Sequence, residues 1–457
     1  MATTDTNAAT LTASNALAII RSRNYLGLLL IAVILGVPVS LCAYGFLALV
    51  HVVQTWMYTT LPALLPSATL RLWWPLIPLT LAGLLVGLTI RLLPGRGGEV
   101  SVDGFHVGGG PPRSVALPGI VLAAFVSIAL GAVIGPEAPL IAMGGGLAVW
   151  WIQLVKRPLP APATTMVGAA GSFAAISALL GSPITSAFLL MEASGQGGTM
   201  LDLALLPGLL AAGIGYLVFV GLDAWTGLGT FSLSVPHPPP FAGPTVAELG
   251  WALGIGLVAA ALIWLLRALV LNLGARLDPD SRPLRTSLLA GVGVALLAIG
   301  FVALTGQSES YILFSGQNQM GQLIDSGANL SIGTLLLILL LKGLGYSLSL
   351  MGFRGGAVFP SLYLGAAVGV LLSHLPGLPI VAGVAMGMGA MTAAMLKLPL
   401  TAVLLSTLIL ASDGIALIPL VIVAVVVAYV TTMRLPRRRT APAANVSPPV
   451  RAAGAPG

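Results

Sequence analysis

The chain has 457 residues, of which 57% are apolar and 7% charged, with 20 Lys and Arg against 13 Asp and Glu for a formal charge of +7. A soluble domain carries roughly 25% charged residues because its surface faces water, so this composition excludes one and makes lipid the main solvent. One cysteine, Cys42, excludes an internal disulfide and any cysteine metal cluster, and the four histidines show no ligand spacing.

In chain order, a polar head over residues 1–23 reads as disordered, and without a basic stretch before an apolar core it carries no cleavable signal peptide. Apolar runs follow at Tyr25–Val53, Leu72–Ile90, Leu201–Leu222, Trp251–Leu273, Leu288–Leu304, Ile332–Leu350 and Ala416–Val430. Each is long enough, or nearly so, to cross a hydrocarbon core of about 30 Å. The fold class is therefore all-α: a polytopic membrane protein. "FSLSVPHPPPFAGP" (Phe231 to Pro244) is the clearest break, its prolines favouring an extended linker. The expected organisation is a head at 1–23, a first membrane repeat at 24–230, a linker at 231–246, a second repeat at 247–433 and a Pro/Ala-rich basic tail at 434–457.

The basic residues argue for topology and against nucleic acid. Arg21 and Arg23 precede the first run, Arg91, Arg96 and Arg113 share a loop, Arg276 to Arg285 lie between two runs, and Arg437 to Arg439 follow the last. The positive-inside rule makes these cytoplasmic, so both termini are expected on the cytoplasmic side of the cell (plasma) membrane.

Shorter segments between the runs carry the chemistry. "GPEAPLIAMGGG" (Gly135 to Gly146) precedes "SALLGSPITSAFLLMEASG" (Ser177 to Gly195) in the first half. "GGAVFPSLYLGAAVG" (Gly355 to Gly369) precedes "AAMLKLPLTAVLLSTLILASDG" (Ala393 to Gly414) in the second. Each pair is a Gly-rich turn opening a helix, then a second proline some forty residues on. Paired Gly/Pro-interrupted segments point to an internal repeat with broken helices around a site near mid-membrane, although Gly and Pro are also common in ordinary transmembrane helices. A helix beginning inside the membrane has unsatisfied first amides and a positive dipole end, which suit an anion. Glycine lets the backbone approach that ion, and proline removes an amide that has no partner anyway.

Two acids, Glu137 and Glu192, fall within strongly apolar helical segments. An intramembrane acid is by default a functional hypothesis. Beside helix amides, the Glu137 carboxylate competes with a free anion for the same donors, which makes it a gate; because protonation releases it, it is also a proton acceptor. The structural alternative is a cap on a buried helix end.

"GPEAP" resembles the G-(K/R)-E-G-P motif of the CLC chloride channels and chloride/proton antiporters. "GFRGGAVFPSLYLGAAVG" (Gly352 to Gly369) is similar to that family's G-G-x-F-x-P segment, "GSPITSAFLLME" (Gly181 to Glu192) to its segment ending in paired acids, and "KGLGYSLSLMG", with Lys342, to the stretch ahead of the second motif. The resemblance implies two inverted repeats, a homodimer with an anion path in each subunit, and Glu137 as the external gating glutamate. It puts anion-binding amides at Gly356, Ala357, Val358 and Phe359, and a second, outer site around Pro136, Glu137 and Ala138.

The sequence departs from the family at four places. The serine loop reads "GRGGEVSVDGF" (Gly95 to Phe105), with Arg96 or Gly97 near the anion-binding position and Ser101 further on, so no serine ligand is assigned. Arg96 is either an anion attractor or a topogenic charge, and Glu99 and Asp103 are solvated. Pro136 and Ala138 replace the basic residue and the glycine flanking the gating glutamate. Ala193 falls at the proton-relay acid, leaving Glu192 as the candidate relay or a helix-end residue. No final helix supplies an anion-coordinating tyrosine: Tyr429, Tyr346 and Tyr363 are not aligned with it. Chloride transport, by a passive channel or a chloride/proton antiporter, is the expected function. Fluoride or a small organic anion on the same scaffold is the alternative. An intramembrane enzyme would need a nucleophile with its base or a metal cluster, and neither is found; His106 is a lone histidine, and Gly108 to Gly110 lacks the residues of a phosphate loop. No cofactor is expected.

Overall fold

The computed structural model describes residues 18–98, 110–155, 159–194, 199–233, 235, 240–410 and 414–436. The expectations for most of the polar head, for Glu99, Ser101, Asp103 and His106, for Gly108 and Gly109, and for Arg437 to Arg439 lie outside these residues.

All seven apolar runs are helices long and apolar enough to cross a membrane. They are α1 (Arg23–Thr55), α2 (Leu76–Leu92, the main part of a span that begins at Ala68), α7 (Thr199–Thr226), α8 (Val246–Leu277), α9 (Pro283–Thr305), α10 (Ile332–Gly352) and α14 (Gly414–Arg434). Between them lie shorter helices that do not read as spans: α3 (Leu117–Ala129), α4 (Glu137–Leu154), α5 (Ala161–Ile176), α6 (Pro183–Ser194), α11 (Val358–Leu372), α12 (Ile380–Leu396) and α13 (Pro399–Leu408). Among the described residues the only β pairing is a single bridge between Gly135 and Gly356. The protein is a multi-pass, all-helical membrane protein.

Three of the spans carry side-chain caps. Ser22 accepts from the N–H of Tyr25, Ser331 from that of Thr334, and Thr245 with Glu248 forms a reciprocal capping box at the start of α8. Helices α4 and α11 start instead at Pro136 and Ala357, neither of which caps through its side chain. Their first-turn N–H groups are left for another partner.

Burial follows the same division. Helix α1 exposes Leu26, Leu30 and Ile34 on its outer face, as lipid contact demands, whereas α11 is buried from Val358 to Val370 and α12 from Val381 to Leu396. The inner helices pack backbone to backbone through glycine. A Cβ at Gly144 on α4 would lie 2.4 Å from the carbonyl of Gly171 on α5, and one at Gly171 would lie 2.3 Å from that of Gly144. Gly365 and Gly369 on α11 meet Gly387 and Gly383 on α12 with the same closeness. Small residues four apart permit this approach in a membrane, where dispersion and not water exclusion drives helix association. Each broken helix is thus clamped to the helix that follows it, which fixes where its N-terminus points.

Candidate functional site: two helix starts and one carboxylate

The starts of α4 and α11 meet inside the protein. The N–H of Gly135 donates to the carbonyl of Gly356 at 2.9 Å, and the N–H of Gly356 donates to that of Gly135 at 2.6 Å. This bridge joins the segments entering the two helices, so both positive dipole ends converge on one small volume. Glu137, the first residue of α4, fills it. The residue is fully buried, and its carboxylate crosses to α11, where Oε1 accepts from the N–H of Phe359 at 2.7 Å. The second oxygen, Oε2, has no hydrogen-bond partner among the described residues.

The carboxylate fits only because two side chains are missing. A Cβ at Gly356 would lie 1.8 Å from Oε2, and one at Gly135 would lie 2.2 Å from Oε2 and 2.4 Å from Oε1. Two of the seven positions expected to supply anion-binding amides offer no free donor in this arrangement. Pro136 has no N–H at all, and the N–H of Gly356 is engaged in the bridge. Glu137, Ala138, Ala357, Val358 and Phe359 stand at the two helix starts, and the Phe359 amide is the one the carboxylate occupies.

Helix α10 holds this geometry through residues that the sequence motifs did not single out as ligands. Lys342, Tyr346 and Ser349 are spaced i, i+4, i+7 and so share one face. All three are fully buried. The Lys342 ammonium donates to the carbonyls of Ile312, Leu313 and Phe314 at 3.3, 3.0 and 3.3 Å and lies 4.3 Å from the centre of the Tyr363 ring on α11. Phe314 in turn donates its N–H to the carbonyl of Gly131 at 3.2 Å. The Tyr346 hydroxyl donates to the carbonyl of Ala357 at 3.3 Å, an acceptor shared with the Ser361 hydroxyl at 2.7 Å. Ser349 Oγ accepts from the N–H of Val133 at 3.0 Å. One helix face therefore positions both approaches to the carboxylate's seat. A polar residue every turn within an otherwise apolar run was the available signal. Lys342→Met leaves three buried carbonyls unpaired and should cost about 2–3 kcal/mol of stability. A thermal melt of the purified protein in detergent should show the transition lowered by several degrees.

Glu192 sits elsewhere, at the end of α6. Its Oε1 accepts from the N–H of Leu400 at 3.0 Å, and its Oε2 accepts from both the N–H and the hydroxyl of Thr401 at 2.7 Å. It caps α13, a helix that begins at Pro399. The two glutamates therefore do the same thing: each reaches from upstream of the Pro-rich stretch to a helix start downstream of it. In Glu192→Gln the carboxamide N–H₂ faces donors, so the variant should lose about 1–2 kcal/mol, the worth of a cap, and melt earlier.

Arg96, at the surface, is held by Asp280, donating to its carbonyl at 2.7 Å and lying 3.6 Å from its carboxylate. Arg113 is exposed. Tyr429, on α14, makes no hydrogen bond to the site among the described residues.

The family model described as "Voltage gated chloride channel" matches residues 82–433. The YfeO protein of Escherichia fergusonii is 31% identical over 374 residues, which cover 79% of this chain and 82% of that protein. The YfeO protein of Escherichia coli is 30% identical over the same shares. Two solved structures share the fold at 21% sequence identity. A slow cyanobacterial chloride/proton antiporter superposes with a TM-score of 0.70, covering 89% of this chain and 94% of its own. A CLC-type fluoride/proton antiporter gives 0.62, covering 89% and 95%.

Proposed function

Because the chain belongs to the voltage-gated chloride channel family and is an anion-transport protein of the membrane, we propose that Glu137 is its gate and proton acceptor. The observation that carries this reading is the carboxylate seated on the Phe359 amide, between two convergent helix starts. A permeating anion needs the same donors, so it passes when the carboxylate leaves, and protonation of Glu137 favours leaving. The released amides of Val358 and Phe359 and the α4 start at Glu137 and Ala138 then face the anion.

Chloride is the substrate we favour, moving passively. Ala193 stands at the expected relay position, and Glu192 is tied down by three hydrogen bonds on α13, which suits a cap better than a shuttle. Exchange with protons is the second reading, favoured by the fold shared with two proton antiporters; fluoride is the alternative anion. We further propose that residues 24–230 and 247–433 are the two repeats, related by the paired starts of α4 with α6 and of α11 with α13. The protein is placed in the plasma membrane with both termini cytoplasmic, on the distribution of arginines, as a homodimer whose subunits each hold a path.

The test is simultaneous anion efflux and proton uptake from liposomes holding purified protein, with a chloride gradient and the membrane potential clamped. Chloride efflux that quickens in acid without uphill proton uptake is expected. Uphill proton uptake would replace the passive reading with exchange, and its loss in Glu192→Gln would make Glu192 the relay. Efflux of fluoride alone would change the substrate and leave the gate in place.

A further inference from the structure

An arginine two residues before Gly356 is buried with no carboxylate in ion-pair contact, Asp280 acting on it only from a distance. Arg354 lies between α10 and α11 and is 9% exposed. Its backbone N–H donates to Ser127 Oγ at 3.1 Å, and Ser127 donates to the carbonyl of Ala123 at 2.7 Å, which ties the position to α3. Its stem packs beside Gly97, where a Cβ would lie 3.1 Å from Arg354 Cγ. A side chain held this way has a fixed direction.

A guanidinium has five N–H donors. Nη1 of Arg354 donates to the carbonyl of Phe353 at 3.1 Å and Nε to that of Arg96 at 3.4 Å. Among the described residues no carboxylate lies within 4 Å of it; Asp280 pairs with Arg96 instead. Burying a permanent cation without a counter-charge in direct contact is costly, and the remaining donors are a place for one.

The surroundings say where that counter-charge comes from. Arg96 is part of the wall of an open cavity of about 770 Å³ that also takes in Arg91, Arg282 and Arg285, against the single acid Asp280. From Arg354 the chain runs through Gly355 to Gly356, against which the Glu137 carboxylate rests. Two Cα steps span at most about 7.6 Å. The buried cation is therefore bonded to one residue of a basic cavity's wall and lies two residues from the carboxylate's seat.

We propose that Arg354 is an anion ligand: its free guanidinium donors hold the permeating monovalent anion on the cavity side of Glu137, and the arginine-walled cavity supplies it. This rests on the transport reading above and adds a residue to it.

Efflux of chloride, and separately of fluoride, is measured from liposomes as a function of anion concentration. Arg354→Gln should raise the half-saturating concentration about tenfold or more, as loss of a charged contact implies. Its maximal rate should change less, and its acid stimulation should persist. Arg354→Lys keeps the charge with fewer donors and should return half-saturation to within about threefold of the wild type. A packing role would lower the maximal rate and stability without moving half-saturation. Unchanged half-saturation in monodisperse Arg354→Gln protein therefore overturns the proposal, and so does aggregation of both variants. Wild-type protein that moves neither anion overturns the transport reading along with it, and shows this before any variant is made.

Discussion

Glu137→Gln should make anion flux nearly independent of pH. The Glu137 carboxylate accepts from the Phe359 amide, and on the proposed gating a permeating anion must displace it. Protonation removes the charge that the two helix starts attract, so flux rises as pH falls. Above the pKa of such a group each pH unit thins the protonated form about tenfold, and flux should follow on that limb. Glutamine is neutral at every pH and similar in size, so the variant should run near the acid plateau and vary less than about twofold over the same range. The measurement is efflux from liposomes over a pH series. An unaltered pH profile would remove Glu137 from gating and leave it as a cap on buried helix ends.

Gly356→Ala should have a comparable effect by a different route. The added Cβ would sit 1.8 Å from Oε2 of Glu137 and 3.2 Å from the amide nitrogen of Ala138. The first distance is far inside van der Waals contact, and no rotamer change at alanine relieves it, so the carboxylate must leave its seat. With the gate unseated, neutral-pH flux should rise towards the acid plateau, and the pH dependence should flatten although Glu137 is intact. The two variants together then separate charge from position. Glu137→Gln removes the charge and keeps the seat, whereas Gly356→Ala keeps the charge and removes the seat. Wild-type pH dependence in Gly356→Ala would mean that the carboxylate does not rest there in the working protein.

These variants probe features that differ in how far the sequence exposed them. All seven apolar runs became helices because a run of some twenty apolar residues with almost no charge has one stable solution in lipid. The shorter segments were legible as interruptions: Pro136 and Pro183 in the first half, and Gly356 and Pro399 in the second, fall within two residues of a helix start. Glu137 was conspicuous because an acid in so apolar a stretch demands a reason.

What the local pattern could not supply was the partner of each polar group. The amide that receives Glu137 lies 222 residues away, and those that receive Glu192 lie 208 and 209 away. Tyr346 looked unconnected to the anion path along the chain, yet the fold brings its hydroxyl to the start of α11. Arg354 passed as one more residue of a glycine-rich motif until burial without an ion-pair contact set it apart. By itself, then, the sequence determined the solvent, the spans, the breaks and the one acid at a broken helix start, because each is written in composition or spacing over a few turns. Only the tertiary structure decided which helix starts face each other and which side chains hold them there. Hydrogen bonds are satisfied across space, and periodicity reports that a residue is buried without saying against what.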